Sequence, residues 1–227
     1  MALVLNIETS SPVCSVCISR DGEMLALKED ASGTNHASVL TFFIQILFQQ
    51  LNVSVHDLDA IAVSAGPGSY TGLRIGVATA KGLCYSMDKP LVAIDSLQAL
   101  AIGLEKNYLK KIFFYCPTLD ARRNEIYYGL FGKDAKEIIS SRNIILSGSI
   151  PFDISNKAVI IGGSGAMKCE SFWKDEALIF DKAIIPSARN MIHLSEKKIH
   201  NHQFENIMSF EPNYIKPVYT TPKKQGG

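Results

Sequence analysis

The chain opens in short apolar runs broken by turn residues. Leu3 to Ile7 leads into a polar Glu8-Thr9-Ser10-Ser11 segment, Cys14 to Ser19 returns, and Arg20-Asp21-Gly22 turns the chain into Met24 to Lys28. Runs of this length between turn residues predict strands, here a three-stranded meander. From His36 to Leu51 the period changes. The polar positions Ser38, Thr41, Gln45 and Gln49 fall three and four apart as one narrow stripe, and the remaining positions are mostly apolar, the pattern of a helix. A strand over 58–64, a glycine-rich loop, a helix from about 72 to 87, a strand over 91–95 and a helix over 96–104 capped by Asp95 or Ser96 follow. The second half repeats the theme with strands over 112–116, 125–131 and 158–162 and helices near 165–173 and 188–200. A meander followed by alternating strands and helices predicts an α/β fold of mixed sheets covered by helices. We place the division at residues 1–104 and 105–227, two lobes packed directly because no low-complexity linker separates them. The tail Thr220 to Gly227 reads as mobile.

Composition narrows the function classes. The 227 residues are 47% hydrophobic, enough to fill a core, and 23 basic residues against 22 acidic ones leave a formal charge of +1. No global field recruits nucleic acid or an anionic membrane, so any such contact is local or supplied by a partner. The N-terminus lacks a basic leader, and Asn6 and Glu8 interrupt its apolar run, which argues against secretion. The charge-free stretch from Ala37 to Val55 carries Gln45, Gln49, Gln50 and Asn52, which would be costly in lipid, so it is read as a helix of a soluble protein.

Five cysteines at 14, 17, 84, 116 and 169 fit reduced thiols better than a disulfide framework. Cys14 and Cys17 sit on one strand at an odd spacing, so they point to opposite faces and make a poor metal pair. The glycine-rich segment SAGPGSYTGLRIGVATAKG, 64–82, fails three chemical templates in turn. A P-loop needs a second glycine five residues after its first, followed by Lys and then Ser or Thr, but Thr71 stands five residues after Gly66 and Leu73 five after Gly68. A dinucleotide loop needs its third glycine one residue earlier than Gly72. A nucleophile elbow around Ser69 has Pro67 where glycine belongs, and Ser164 in a second Gly-rich turn has no assignable histidine and acid.

What remains is a helix with a small-residue stripe, Gly72, Gly76 and Ala80, that admits another backbone closely. That backbone is either the chain's own sheet or a second helix. The preceding helix has more apolar surface than one sheet face covers, with Val39, Phe42, Phe43, Ile46 and Leu47 as candidates for an exposed flank. These eight residues are our candidate interface, and Gly76→Leu is expected to block association while leaving the chain folded. No catalytic, cofactor or metal residues are assigned.

Several segments together are similar to one family. AVSAGPGSYTGLRIGVATAKGL followed by KPLVAIDSLQALA, with LVLNIETSSPVCSV, NHASVL, LDARRNEIYYGLF and EPNYIKP elsewhere, resembles the TsaB (YeaZ) family over most of the chain. The resemblance implies the actin-like, hexokinase-like fold with two ribonuclease-H-like lobes. It further implies a cytoplasmic, non-catalytic subunit that pairs with TsaD, joins TsaE in a larger complex, forms a homodimer when alone, and meets tRNA only through the complex, in making threonylcarbamoyladenosine at position 37. Two departures bear on chemistry. Family members usually carry Asp-Thr-Ser where this chain has Glu8-Thr9-Ser10, and the HxxxH metal pair of TsaD is reduced to His36 with Leu40 four residues on. The turn Asp120 to Glu125 is characteristic of the family and reads either as an ion-paired hairpin or as a polar seam. The alternative function is a stand-alone ATP-using or peptidase-like enzyme of the same fold.

Overall fold

The computed structural model describes residues 2–33, 36–108, 113–153 and 158–216; the tail from 220 onward lies outside them. The meander is present as β1 (Leu3–Glu8), β2 (Cys14–Arg20) and β3 (Glu23–Asp30), followed by α1 (His36–Leu51), β4 (Ala60–Gly66), α2 (Tyr70–Met87), β5 (Leu91–Asp95) and α3 (Ser96–Asn107). Then come β6 (Phe113–Asp120), β7 (Glu125–Phe131), β8 (Glu137–Ile145), β9 (Ala158–Gly162), α4 (Ala166–Phe172), β10 (Leu178–Asp181) and α5 (Ile192–His200).

Two five-stranded sheets result, ordered β3-β2-β1-β4-β5 and β10-β9-β6-β7-β8. In each, three strands form an antiparallel meander and two more add in parallel beside its first strand, so the second sheet repeats the first in chain order. The repeat is shortened. Where the first half has the 18-residue α2, the second has the 7-residue α4. β8 and β10 were not legible from pattern.

Side-chain alternation divides the first sheet into two faces. Leu3, Leu5 and Ile7 of β1 pack with Leu40, Ile44 and Leu47 of α1 and Val77 and Ala80 of α2. On the opposite face, Val4, Ala60, Ala62 and Val92 pack with α3, whose other side meets Tyr115, Leu119 and Phe131 of the second sheet. α3 is therefore buried between the two sheets, which is why eight of its residues, including Ser96, are buried. Asp95 caps it by accepting from the Gln98 amide at 2.8 Å. After β10 the chain returns to the first sheet: α5 packs on β5 and β1, and the Ser195 hydroxyl donates to Asn6 Oδ1 at 2.9 Å in the core.

All five thiols are buried. Cys14 lies in the core beneath α1 and Cys17 in the core beside α3, on opposite faces of β2 as their spacing requires. Burial pushes Cys14 up to about 11 and Cys17, Cys84 and Cys169 up to about 12. Since the thiolate is the reactive form, the folded chain at neutral pH is predicted to resist alkylation, with five thiols titrating only after denaturation. Rapid labelling of Cys14 or Cys17 in the native protein would contradict this placement.

Candidate functional site

The polar turn after β1 and the glycine loop after β4 meet at the centre of the molecule. Glu8, Thr9, Ser10 and Ser11 are all buried, and the Thr9 and Ser10 amides are engaged locally. The Ser10 amide donates to Glu8 Oε1 at 2.6 Å, the Thr9 amide to Ser64 Oγ at 3.1 Å, and the Ser69 amide to the Ser10 carbonyl at 2.6 Å. Ser69 in turn caps α2 by accepting from the Gly72 amide at 3.2 Å. An incoming phosphate would have to displace an internal bond for each of these donors, and unmade buried hydrogen bonds cost about 1–3 kcal/mol apiece. Burial raises the Glu8 carboxyl above the ordinary carboxylate range, and the hydrogen bonds from Ser10 only partly counter this. Asp95 is raised too, again by burial, with the Gln98 amide opposing.

The glycines of α2 are explained by this turn. A Cβ on Gly72 would sit inside van der Waals contact with the Thr9 carbonyl oxygen, and one on Gly76 with the Thr9 hydroxyl. Of the two readings of the small-residue stripe, close approach to the chain's own sheet is therefore correct. Gly72, Gly76 and Ala80 are buried and cannot meet a second helix; Leu47 is likewise fully buried in the core beneath α1. These four candidate interface residues shape the surface from beneath and do not form it. The expectation for Gly76→Leu is corrected for the same reason: the added side chain meets Thr9 within the chain, so the variant is destabilised and does not act by pushing a second helix away.

The other four candidates do reach the outside. Phe42 is 57% exposed, and Val39, Phe43 and Ile46 are half-buried on the outer side of α1. α1 and α2 lie side by side on one face of the sheet, and α2 adds the half-buried Ile75, the exposed Ala78 and Gly82, and Tyr85, 75% exposed. These α2 positions run at spacings of three and four and mark a second stripe, offset from the glycines, that sequence reasoning missed. α1 has no charged residue after His36, so the combined outer face carries few charges, and it sets Phe42, Ala78 and Tyr85 among the exposed polar Ser38, Thr41, Gln45 and Gln49 and the exposed Arg74 of α2.

Leu40, where the second histidine of a metal pair would stand, is a fully buried core residue, and His36 Nε2 lies 2.9 Å from the Ser11 carbonyl. Among the described residues, no group of three or more His, Cys, Asp or Glu side chains converges as a metal site. Ser164 Oγ accepts from the Asp120 amide at 3.0 Å. A cleft of about 660 Å³ separates Ser10 and Ser69 from Arg122 and Ser164. The turn on its second wall is pinned by Lys168, which pairs with Asp120 at 2.5 Å, and by Lys216, which pairs with Glu125 at 2.5 Å. The turn is an ion-paired hairpin, and its Asp120 and Arg122 line the cleft opposite Ser10 and Ser69.

Residues 29–186 match the family model described as TsaD, tRNA N6-adenosine threonylcarbamoyltransferase. The tRNA threonylcarbamoyladenosine biosynthesis protein TsaB of Haemophilus influenzae is 26% identical over 98% of this chain and 97% of its own. The chain belongs to this family, in its TsaB (YeaZ) branch. YeaZ from Pseudomonas aeruginosa superposes with a TM-score of 0.84 at 23% identity, covering 94% of this chain and all 100% of that one. The activator of 2-hydroxyisocaproyl-CoA dehydratase from Clostridium difficile, at a TM-score of 0.51 and 9% identity over 90% of this chain and 98% of that one, carries the same actin-like fold beyond the TsaB branch. Among the described residues, no helix is long and apolar enough to cross a membrane.

Two outcomes test this geometry. Gly76→Leu drives a side chain into Thr9 and should cost about 3 kcal/mol or more, the upper range for overpacking, seen as a Tm fall of roughly 6–12 °C. Gly82→Leu, with no heavy atom within 4 Å of the added Cβ, should fold normally and gain helix propensity; equal Tm values for the two would contradict the contact. For Glu8, a folded-state pKa raised above the unfolded one gives stability that is full in acid and lost as pH rises through the folded value. Glu8→Gln, which keeps an acceptor for the Ser10 amide, should therefore gain stability relative to the parent as pH rises from about 5 to 8. A Tm difference flat across that range would refute the raised carboxyl.

Proposed function

We propose that the chain is a non-catalytic, cytoplasmic subunit that supports threonylcarbamoyl transfer to adenosine 37 of tRNA by docking the transferase relative TsaD through the outer face of α1 and α2. The observation that carries this reading is that face: Phe42 and Tyr85 exposed, Val39, Phe43, Ile46 and Ile75 half-buried with them, and few charges among uncharged polar side chains. Depletion of charge at the centre with aromatic anchors is the composition of a protein interface core. The Haemophilus relative's role in tRNA threonylcarbamoyladenosine biosynthesis supports the pathway, and the match to a transferase family model makes a structurally similar transferase a natural partner. TsaE joins this pair in a larger assembly, and in the absence of TsaD the same face pairs two copies of the chain.

The closed turn after β1 supports the non-catalytic half of the reading. Its amides bond to Glu8 and Ser64, and its only carboxylate is buried and turned to its own backbone. The chemistry then belongs to TsaD, with this chain holding it in a competent arrangement.

Phe42→Glu and Tyr85→Glu place a carboxylate at the centre of the face while leaving the core untouched. Loss of an aromatic anchor commonly costs about 2 kcal/mol or more, so affinity for TsaD measured by calorimetry should fall roughly 30-fold or more, with tRNA modification in the reconstituted system falling in step and Tm unchanged. Full affinity and full activity in both folded variants would place the docking surface elsewhere.

A further inference from the structure

On the side of α3 away from the first turn, a second concavity of about 540 Å³ lies between the lobes, and four lysines converge on it from two elements. Lys133 and Lys136 flank the 3-10 turn Lys133–Ala135 after β7, and Lys197 and Lys198 lie on α5. Asp134 and Glu137 also line it, so positive groups outnumber negative ones by four to two in a chain whose formal charge is only +1. Lysines at the end of α5 have a bland explanation in the helix dipole, but that explanation does not extend to Lys133 and Lys136.

The lysines are presented on a fixed frame. The Asp134 amide donates to Glu105 Oε2 at 2.9 Å, the Gln98 side-chain amide to the Ala135 carbonyl at 3.1 Å, and the Gly132 amide to the Lys136 carbonyl at 2.8 Å. Asp134 and Ala135 are held at φ 55° and 48°, left-handed values that a non-glycine residue adopts only when its surroundings enforce them. Lys198 donates to the Ala93 carbonyl at 2.7 Å. Lys168, Lys182 and Lys216 each hold a carboxylate, whereas among the described residues the exposed ammonium groups of Lys133, Lys136 and Lys197 enter no ion pair.

We propose that this lysine-lined concavity is a phosphodiester-backbone site that grips the RNA substrate of the assembly. The proposal rests on the reading of the chain as a subunit acting on tRNA. The lining has no aromatic ring to stack on a base, and the Gln98 amide is already engaged with Ala135, so the contact reads charge and carries no sequence preference. Only Leu194 and Ala135 are apolar there, too little for insertion into a lipid surface. Each lysine that neutralises a phosphate releases a counterion, contributing about 0.7–0.9 to the slope of log affinity against log salt and thus about 5- to 8-fold in affinity near 0.1 M salt.

The test is a salt titration of tRNA binding by the reconstituted assembly containing either the parent chain or the exposed-lysine variant Lys133→Gln/Lys136→Gln/Lys197→Gln, with Lys174→Gln as a control for charge elsewhere. The triple variant is expected to lose tenfold or more in affinity near 0.1 M salt, to flatten the slope by about 2, and to do so equally for unrelated RNA sequences, while Lys174→Gln changes neither. Arginine at the same three positions should restore both quantities. An unchanged slope with the assembly intact would overturn the proposal, as would loss of binding confined to phosphatidylserine vesicles. If the parent chain itself fails to join the transferase, the proposed function falls, and the same titration on the isolated parent and variant chains still decides the lysine site.

Discussion

Everything distinctive in this molecule depends on how closely α2 approaches the turn after β1. Only hydrogen atoms on Gly72 and Gly76 let the helix lie against Thr9, and that contact fixes the helix on the sheet face it shares with α1. Glycine within a helix costs about 0.5–1 kcal/mol relative to alanine. The cost is offset by the buried bonds that the approach permits, including Ser69 to Ser10 across the two loops. One consequence is that the Thr9 and Ser10 amides are engaged from within, although Glu8 Oε2, Thr9 Oγ1 and Ser10 Oγ are buried without a hydrogen-bond partner among the described residues; the other is that the opposite side of α2, with Ile75, Ala78, Gly82 and Tyr85, is left facing outward on the sheet face it shares with α1.

These two consequences point the same way. The turn borders the cleft between the two sheets, and its Thr9 and Ser10 amides are engaged by Ser64 and Glu8 while its Ser10 carbonyl accepts from the Ser69 amide of the neighbouring loop. The Glu8 carboxyl folds back onto the Ser10 amide two residues on. The proposed function accordingly rests on surfaces and not on the cleft: the sparsely charged one on α1 and α2 for a protein, and the lysine-lined one behind α3 for a polyanion.

The sequence disclosed the first lobe better than the second. Alternation between two buried faces made β1, β2 and β4 legible, and the four-residue polar stripe located α1 within its observed bounds. β8 escaped because it is an edge strand with Ile138 and Ile145 exposed, so its state is set by pairing with β7 and not by its own pattern. β10 is four residues long, and its partner β9 decides it. The return of α5 to the first sheet is fixed by Asn6 meeting Ser195, a contact 189 residues apart that no local period announces. At the site, the glycine stripe was visible but its neighbour was not: spacing says that something comes close, and only the fold says that it is Thr9. Tyr85 was not legible because its exposure follows from the burial of the glycine side of α2 against Thr9, which spacing alone does not fix.

The central claim is that the outer face of α1 and α2 is where this chain meets its transferase. Hydrogen–deuterium exchange of the chain alone and mixed with TsaD tests it without any mutation, since an interface protects the amides it covers. The account predicts slower exchange confined to peptides spanning 37–50 and 71–86, with 132–137 unchanged until tRNA is added. Protection concentrated on the second sheet or in the interlobe cleft, with both helices exchanging as they do in the free chain, would contradict it.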